Sequence, residues 1–167
     1  MSATVQIISY HGATHETETT ITSTTIRYKG ADDDTADTNN PIPVPSEGIG
    51  YSYAKFTKIK VIAAPTGNIT NLRWFGDGTA WGTGVDLYVG TTDTYVQSTG
   101  ATVMAAGSVI GTTYIAANAL TINEGTVIGA TTGTGTQNYV CSQVRVATTA
   151  SAGVTTARAY TYRYDES

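Results

Sequence analysis

Apolar and polar residues alternate with a period of two along most of the chain. Val85, Leu87 and Val89 alternate with Asp86 and Tyr88, and Val140, Val144 and Val146 alternate with Tyr139, Gln143 and Arg145, as strands with one face on a core require. Applied throughout, the pattern predicts strands at 4–10, 17–29, 51–63, 68–75, 85–90, 95–98, 112–115, 126–128, 139–148 and 154–165. Within 51–63, Ile59 and Val61 share a face with Tyr51 and Tyr53 while Lys58 and Lys60 take the other, which predicts one dry side and one wet side. In the last strand, Arg158, Tyr160, Tyr162 and Tyr164 share one face and Ala157, Ala159 and Thr161 the other. Small residues suit close sheet packing, so this reading puts a tyrosine and arginine stripe at the surface, a composition favoured at protein interfaces. The alternative is that the rings cover the core and keep their hydroxyls in water.

The breaks are as legible as the strands. GDGTAWGTG (76–84) and ATTGTGTQN (130–138) read as turns, because glycine supplies the positive φ that tight connections need. No segment carries a helical stripe, and residues 116–120 make at most one turn. Many strands at short spacing predict an all-β fold, a two-sheet antiparallel sandwich of jelly-roll-like form, built as a single domain over residues 1–167. One stretch does not fit: ADDDTADTNNPIPVP (31–45) is acidic and punctuated by prolines. It reads as a cation site, a spacer, or an extended segment that lies on another protein.

Composition narrows the class. About a fifth of the residues are threonine, with 18 Gly, 11 Tyr and only 13% charged residues, a bias towards side chains that fit pleated surfaces. The formal net charge of −4 and pI near 4.9 argue against nucleic acid as a partner, since phosphate-backbone binders cluster Lys and Arg. Cys141 is the only cysteine, which excludes an intramolecular disulfide framework. MSATVQIISYHG has no basic region followed by an apolar run, and no window reaches the roughly 20 apolar residues of a membrane span. The expectation is a soluble protein without an export signal and without a membrane partner.

Candidate chemistry is sparse. His11 and His15 would converge on a metal if helical; in a strand, four residues span roughly 13 Å, too far for one zinc ion, and both are expected as exposed polar residues at a strand end. Asp32, Asp33, Asp34 and Asp37 raise calcium, but the spacing lacks the glycine and distal glutamate of an EF-hand loop, so a solvated acidic turn is the simpler reading. Cys141 lies in YVCSQVRV without a nucleophile motif and is expected to pack. TTGTGTQ lacks the lysine and the strand–helix setting of a phosphate loop. Asp77 and Asp86 flank Trp81, an arrangement found in sugar sites but commoner as turn chemistry. No catalytic residue, metal or cofactor is expected, and no enzyme activity.

VQIISYHGAT, TIRYKGADDDTADTNNPIPVP, GIGYSYAKFTKIKV, GNITNLRWFGDGTAWGTGVDLYVGT and ARAYTYRYDES, taken in that order, resemble a family of small virion structural proteins of tailed bacteriophages and prophages. The resemblance covers most of the chain between Val5 and Glu166, least well at residues 100–137. It implies a virion component made in the host bacterial cytoplasm, similar to the capsid cement or decoration proteins that bind the major capsid protein on the outer head surface. Assembly as a homotrimer would suit sites of local threefold symmetry. The alternatives are a tail or fibre component, or a carbohydrate-binding adhesion module with Trp74 or Trp81 as a stacking platform. On the virion reading, residues 11–47 form an extended arm or excursion, pre-stiffened where Pro41, Pro43 and Pro45 alternate with Ile42 and Val44. Candidate capsid or subunit contacts are then Asp32, Asp34, the five residues from Pro41 to Pro45, and Arg158, Tyr160, Tyr162 and Tyr164.

Overall fold

The computed structural model describes residues 1–22, 26–36, 38–100, 104, 109–153 and 157–167. Ten strands build it: β1 (Thr4–His11), β2 (Thr17–Thr20), β3 (Ile49–Tyr51), β4 (Lys55–Ala63), β5 (Ile69–Gly76), β6 (Val85–Thr92), β7 (Val109–Ile110), β8 (Leu120–Ile128), β9 (Tyr139–Ala147) and β10 (Tyr160–Glu166). The larger sheet runs β2-β1-β4-β9-β6-β7, with β3 joining β9, and the smaller runs β10-β5-β8. Every pairing is antiparallel. Ile59, Val61, Leu87, Val89, Val140, Val144 and Val146 of the larger sheet meet Ile69, Leu72, Trp74, Ile122, Val127 and Ile128 of the smaller in one apolar core. This is the two-sheet sandwich that the alternation predicts.

The central strand β9 is buried on both faces. Its outward residues Tyr139 and Cys141 join Ile8, Tyr10, Ala54 and Phe56 in a second cluster on the outside of the larger sheet. Residues 95–98, expected as a strand, are irregular. Tyr95 lays its ring on this cluster, 5.0 Å from Phe56 and 6.0 Å from Tyr139, and its hydroxyl donates to the Gly12 carbonyl at 2.7 Å. The apolar residues there thus cap a sheet face rather than extend a sheet edge.

Other expected strands change for local reasons. The predicted 51–63 strand is broken at residues 52–54, where the Ser52 hydroxyl accepts from the Val144 amide at 3.0 Å and the Gln143 side chain donates to the Ser52 carbonyl at 2.7 Å. Side chains replace the ladder there. The 17–29 strand is regular only at Thr17–Thr20, and 112–115 holds a 3₁₀ turn at Gly111–Thr113. The short strand predicted at 126–128 is the end of the longer β8, whose pairing with β5 shifts register three times. Asn71 sits at φ 53° in that irregularity, and its side chain accepts from the Gly125 amide at 3.3 Å, so the bulge carries its own hydrogen bond. Residues 23–25 of the second predicted strand and 154–156 of the last lie outside the described residues.

One side chain acts as a piece of sheet. β9 pairs β4 only at Lys55, Phe56 and Thr57. Beyond that, the buried Gln137 amide accepts from the Ile59 N–H at 2.9 Å and donates to the Ile59 C=O at 2.8 Å. Gly133 then bridges Val61. A carboxamide offers an N–H and a C=O with peptide-like spacing, so it continues the ladder where the backbone has turned away, and its second N–H donates to the Thr134 carbonyl at 2.6 Å.

Candidate functional site

The first part of the acidic stretch folds back onto the larger sheet, with Asp34 buried, Asp32 largely covered and Asp33 partly exposed. On β4, Lys55 lies on the same inward face as Thr57, Ile59 and Val61, and on β1, His11 lies on the face of Ile7 and Ser9. The smaller sheet reaches Thr57, whose hydroxyl lies 2.7 Å from that of Tyr162. Two residues further along β4, the cover is the segment from Tyr28 to Thr35. Lys55 is completely buried there, its Nζ donating to the Asp33 carbonyl at 2.5 Å and the Ala31 carbonyl at 3.4 Å. The Asp34 carboxylate stands 3.5 Å from Lys55 Nζ and 3.0 Å from His11 Nε2. Asp32 stands 3.6 Å from His11 Nδ1, and Asp33 pairs with the buried Lys29 at 2.6 Å.

Backbone amides fix the same carboxylates. Gly12 N–H donates to Asp32 at 3.1 Å, Arg27 N–H to Asp34 at 3.2 Å and Thr35 N–H to Asp33 at 2.8 Å. Burial by itself pushes the Asp34 carboxyl up, but the His11 imidazole, the Lys55 ammonium and the Arg27 amide outweigh it and hold the group at about 2 instead of 3.8. Burial pulls the Lys55 ammonium down, opposed by Asp34, Asp32 and Asp33. The expectation of an exposed His11 is corrected, since it is 4% exposed, and so is that of a solvated turn at Asp34, whose side chain is 2% exposed; Asp33 keeps 43% of its side chain in solvent, and His15 is exposed as expected. Among the described residues, no three His, Cys, Asp or Glu side chains are placed to hold a metal ion. Asp37 lies outside the described residues.

The proline stretch continues from this anchor. Gly30 N–H donates to the Asn40 carbonyl at 2.8 Å, and Tyr53 N–H to the Lys29 carbonyl at 2.9 Å, so the chain doubles back on its own domain. Ile42 packs on the main core. The Pro43 carbonyl passes so close to Gly50 that a Cβ there would lie 2.9 Å from it. What remains outside is a ridge in which Pro41, Pro43, Val44 and Ile49 are exposed while Ile42 and Pro45 are half-buried. The excursion is held against the sheet rather than projected from it.

Of the two readings of the last strand, the structure takes the one in which the rings cover the core, with the Tyr160 hydroxyl buried rather than left in water. Tyr160, Tyr162 and Tyr164 point inward and pack on the core, while Thr161, Arg163 and Asp165 are exposed. Trp74 explains the orientation: its buried ring stacks on Tyr160 with centroids 5.1 Å apart, leaving a deep groove that large rings fill and alanines cannot. Arg158 is half-buried and donates to the carbonyls of Ala157 and Ala80. Trp74 is 3% exposed, which removes it as a glycan platform. Trp81 is half-buried, edge-on to Tyr28 at 5.6 Å. Cys141 is buried, and that burial pushes its thiol up to about 12, the setting of a packing residue.

Sequence reasoning missed the two lysines that complete the acidic site. Lys55 has the parity of Ile59 and Val61, and a lysine on a dry face is the signal that would have found it. Comparison of the chain with protein-family models, with curated proteins and with solved structures finds no match.

Proposed function

We propose that the protein is a non-enzymatic virion structural component, a cement or decoration protein that binds the outer surface of a phage head and stabilises the expanded shell. The observation that carries this reading is the ordered resemblance of five segments between Val5 and Glu166. Those segments hold β1, the acidic and proline stretch, β3, β4, β5, β6 and β10, and leave out β8 and the central β9. The partner is the major capsid protein. A protein that binds the expanded shell better than its precursor stabilises it by mass action, and many copies sum weak contacts.

The structure redirects the choice of contact surface. Asp32 and Asp34 are committed to His11 and Lys55, and the tyrosines of β10 are turned inward, so neither group supplies the contact. The ridge at residues 41–49 does: Val44 and Ile49 are 39% and 42% exposed, on a backbone already held in place. Such a surface loses little conformational entropy on docking. The test is Val44→Asp combined with Ile49→Asp, assayed for co-sedimentation with heads stripped of this chain. Binding should fall at least tenfold with the melting temperature unchanged, and unchanged binding rejects the ridge. Mass spectrometry of separated heads and tails tests the wider reading: hundreds of copies in heads support it, a few copies in tails favour a tail component, and absence from both defeats it.

A further inference from the structure

We infer that the gap between the sheets is a binding site for a small neutral molecule with an apolar body and one hydrogen-bond-accepting oxygen. A cavity of about 230 Å³ opens where the inner faces of β1, β4 and β9 meet Trp74 and β10. Its walls divide by chemistry. Ile7, Ile21, Ile26, Val140 and Trp74 are apolar, and the hydroxyls of Thr22, Tyr28, Thr57, Ser142, Tyr160 and Tyr162 supply polar groups; that of the exposed Thr22 accepts from the Ile7 amide at 2.6 Å.

The hydroxyl inventory points to an acceptor. Tyr162 and Thr57 bond each other at 2.7 Å, and Thr57 also reaches the Val140 carbonyl at 3.4 Å, so both of their hydrogens are used. Tyr28 and Ser142 bond each other at 2.8 Å, which uses one of their two hydrogens. The Tyr160 hydroxyl is buried and makes no hydrogen bond of ordinary geometry; the donors of Trp81 and Tyr28 approach its oxygen, which leaves its own hydrogen without an acceptor. A buried donor without an acceptor is costly.

Water alone fills the space poorly. At roughly 30 Å³ per molecule the cavity has room for about seven waters, several of which would face only isoleucine, valine and tryptophan. Displacing such waters with an apolar body is favourable, provided that the new molecule returns an acceptor to the hydroxyls. Charge selects a neutral occupant. Among the described residues the lining holds one cation, Arg158, already donating to the Ala80 and Ala157 carbonyls and lying near Asp77, and no carboxylate. The volume suits a fragment-sized molecule such as an aryl ketone.

The site is independent of the virion proposal. It is tested by following the methyl resonances of Ile7, Ile21, Ile26 and Val140 while titrating acetophenone and, separately, ethylbenzene, which has a similar shape but no acceptor. Both should shift these methyls, with acetophenone tighter by roughly 3- to 10-fold, the worth of one hydrogen bond. Tyr160→Phe should remove most of that preference, and Ile26→Phe, which fills the cavity, should weaken both probes. Methyls that stay unmoved at millimolar probe overturn the inference, as does a preference that survives in Tyr160→Phe. Equal affinity of the two probes for the unaltered protein also overturns it, whatever the stability of the variants.

Discussion

The inner face of the larger sheet is closed in two ways. Towards β5 and β8 it meets aliphatic side chains and Trp74, with Ile59, Ile69, Leu72 and Val89 wholly buried. At the end of β1 and β4 it meets three aspartates on an irregular segment, set against two lysines and a histidine. Apolar closure is tolerant of detail, since burial stabilises in proportion to area. Ionic closure is not: each charge leaves water at a cost of several kcal/mol and recovers it only in one geometry. The second closure therefore adds position more than stability, and the position it sets is that of the ridge at residues 41–49.

The largest effects come from breaking each closure singly. Asp34→Ala leaves Lys55 buried opposite fewer partners and should cost about 3–5 kcal/mol of unfolding free energy, the range for orphaned buried charges. Leu72→Ala opens a cavity in the apolar half and should cost about 3–5 kcal/mol as well. Urea titrations of the two will look alike. They part when both members of a contact are replaced: Asp34→Leu with Lys55→Met should recover most of the loss, because an apolar pair removes two desolvation penalties at once. If the double variant is no more stable than Asp34→Ala, the ionic closure contributes stability in its own right and the contrast fails.

Acid separates the halves next. The Asp34 carboxyl is held at about 2 in the folded chain against 3.8 ordinarily, so the unfolded state takes up its proton first. The stability that Asp34 contributes is complete above 3.8 and drains away as pH falls from there through 2. The shift corresponds to about 2.5 kcal/mol. Unfolding free energies from denaturant titrations between pH 6 and 2 should fall by about 2 kcal/mol more in the unaltered protein than in the Asp34→Leu, Lys55→Met variant, since at pH 2 the folded carboxyl is still half ionised. Equal slopes would place the acid sensitivity elsewhere.

How much of this was legible depends on what each element leans on. The alternation in β6 and β9 located both strands and their inward valines, because period two reflects the pleat itself. It left β10 undecided between two orientations, because both faces offered apolar or small residues. The outcome was decided by Trp74, 86 positions away in the chain, which needed a ring to stack on. It failed at 95–98 because an aromatic loop capping a cluster has the same composition as a strand. The acidic site was visible only in part: ADDDTADTNN announced itself and Lys29 stands beside it, four residues before Asp33, but Lys55 and His11 come from two other segments, and sequence spacing does not bring them together. The pairing of parity with residue type, a lysine among Ile59 and Val61, was the available clue.

Gln137 sharpens the comparison with the smallest effect. It too is a polar group in the sandwich interior, 2% exposed, yet it carries no charge and returns both hydrogen bonds of Ile59. Gln137→Leu keeps the volume and leaves the Ile59 N–H and C=O unpaired, so the expected loss is about 2 kcal/mol, with no dependence on acid. Gln137→Glu restores an acceptor for the Ile59 N–H but sets a carboxylate oxygen against the Ile59 C=O. It should be worse than leucine at pH 7 and approach the unaltered protein when acid returns a proton to that oxygen. Hydrogen exchange at the Ile59 amide reads the effect directly. Protection equal to the unaltered protein in both variants would mean that the bridge between Gly133 and Val61 carries the ladder past this point, and that the glutamine merely fills space.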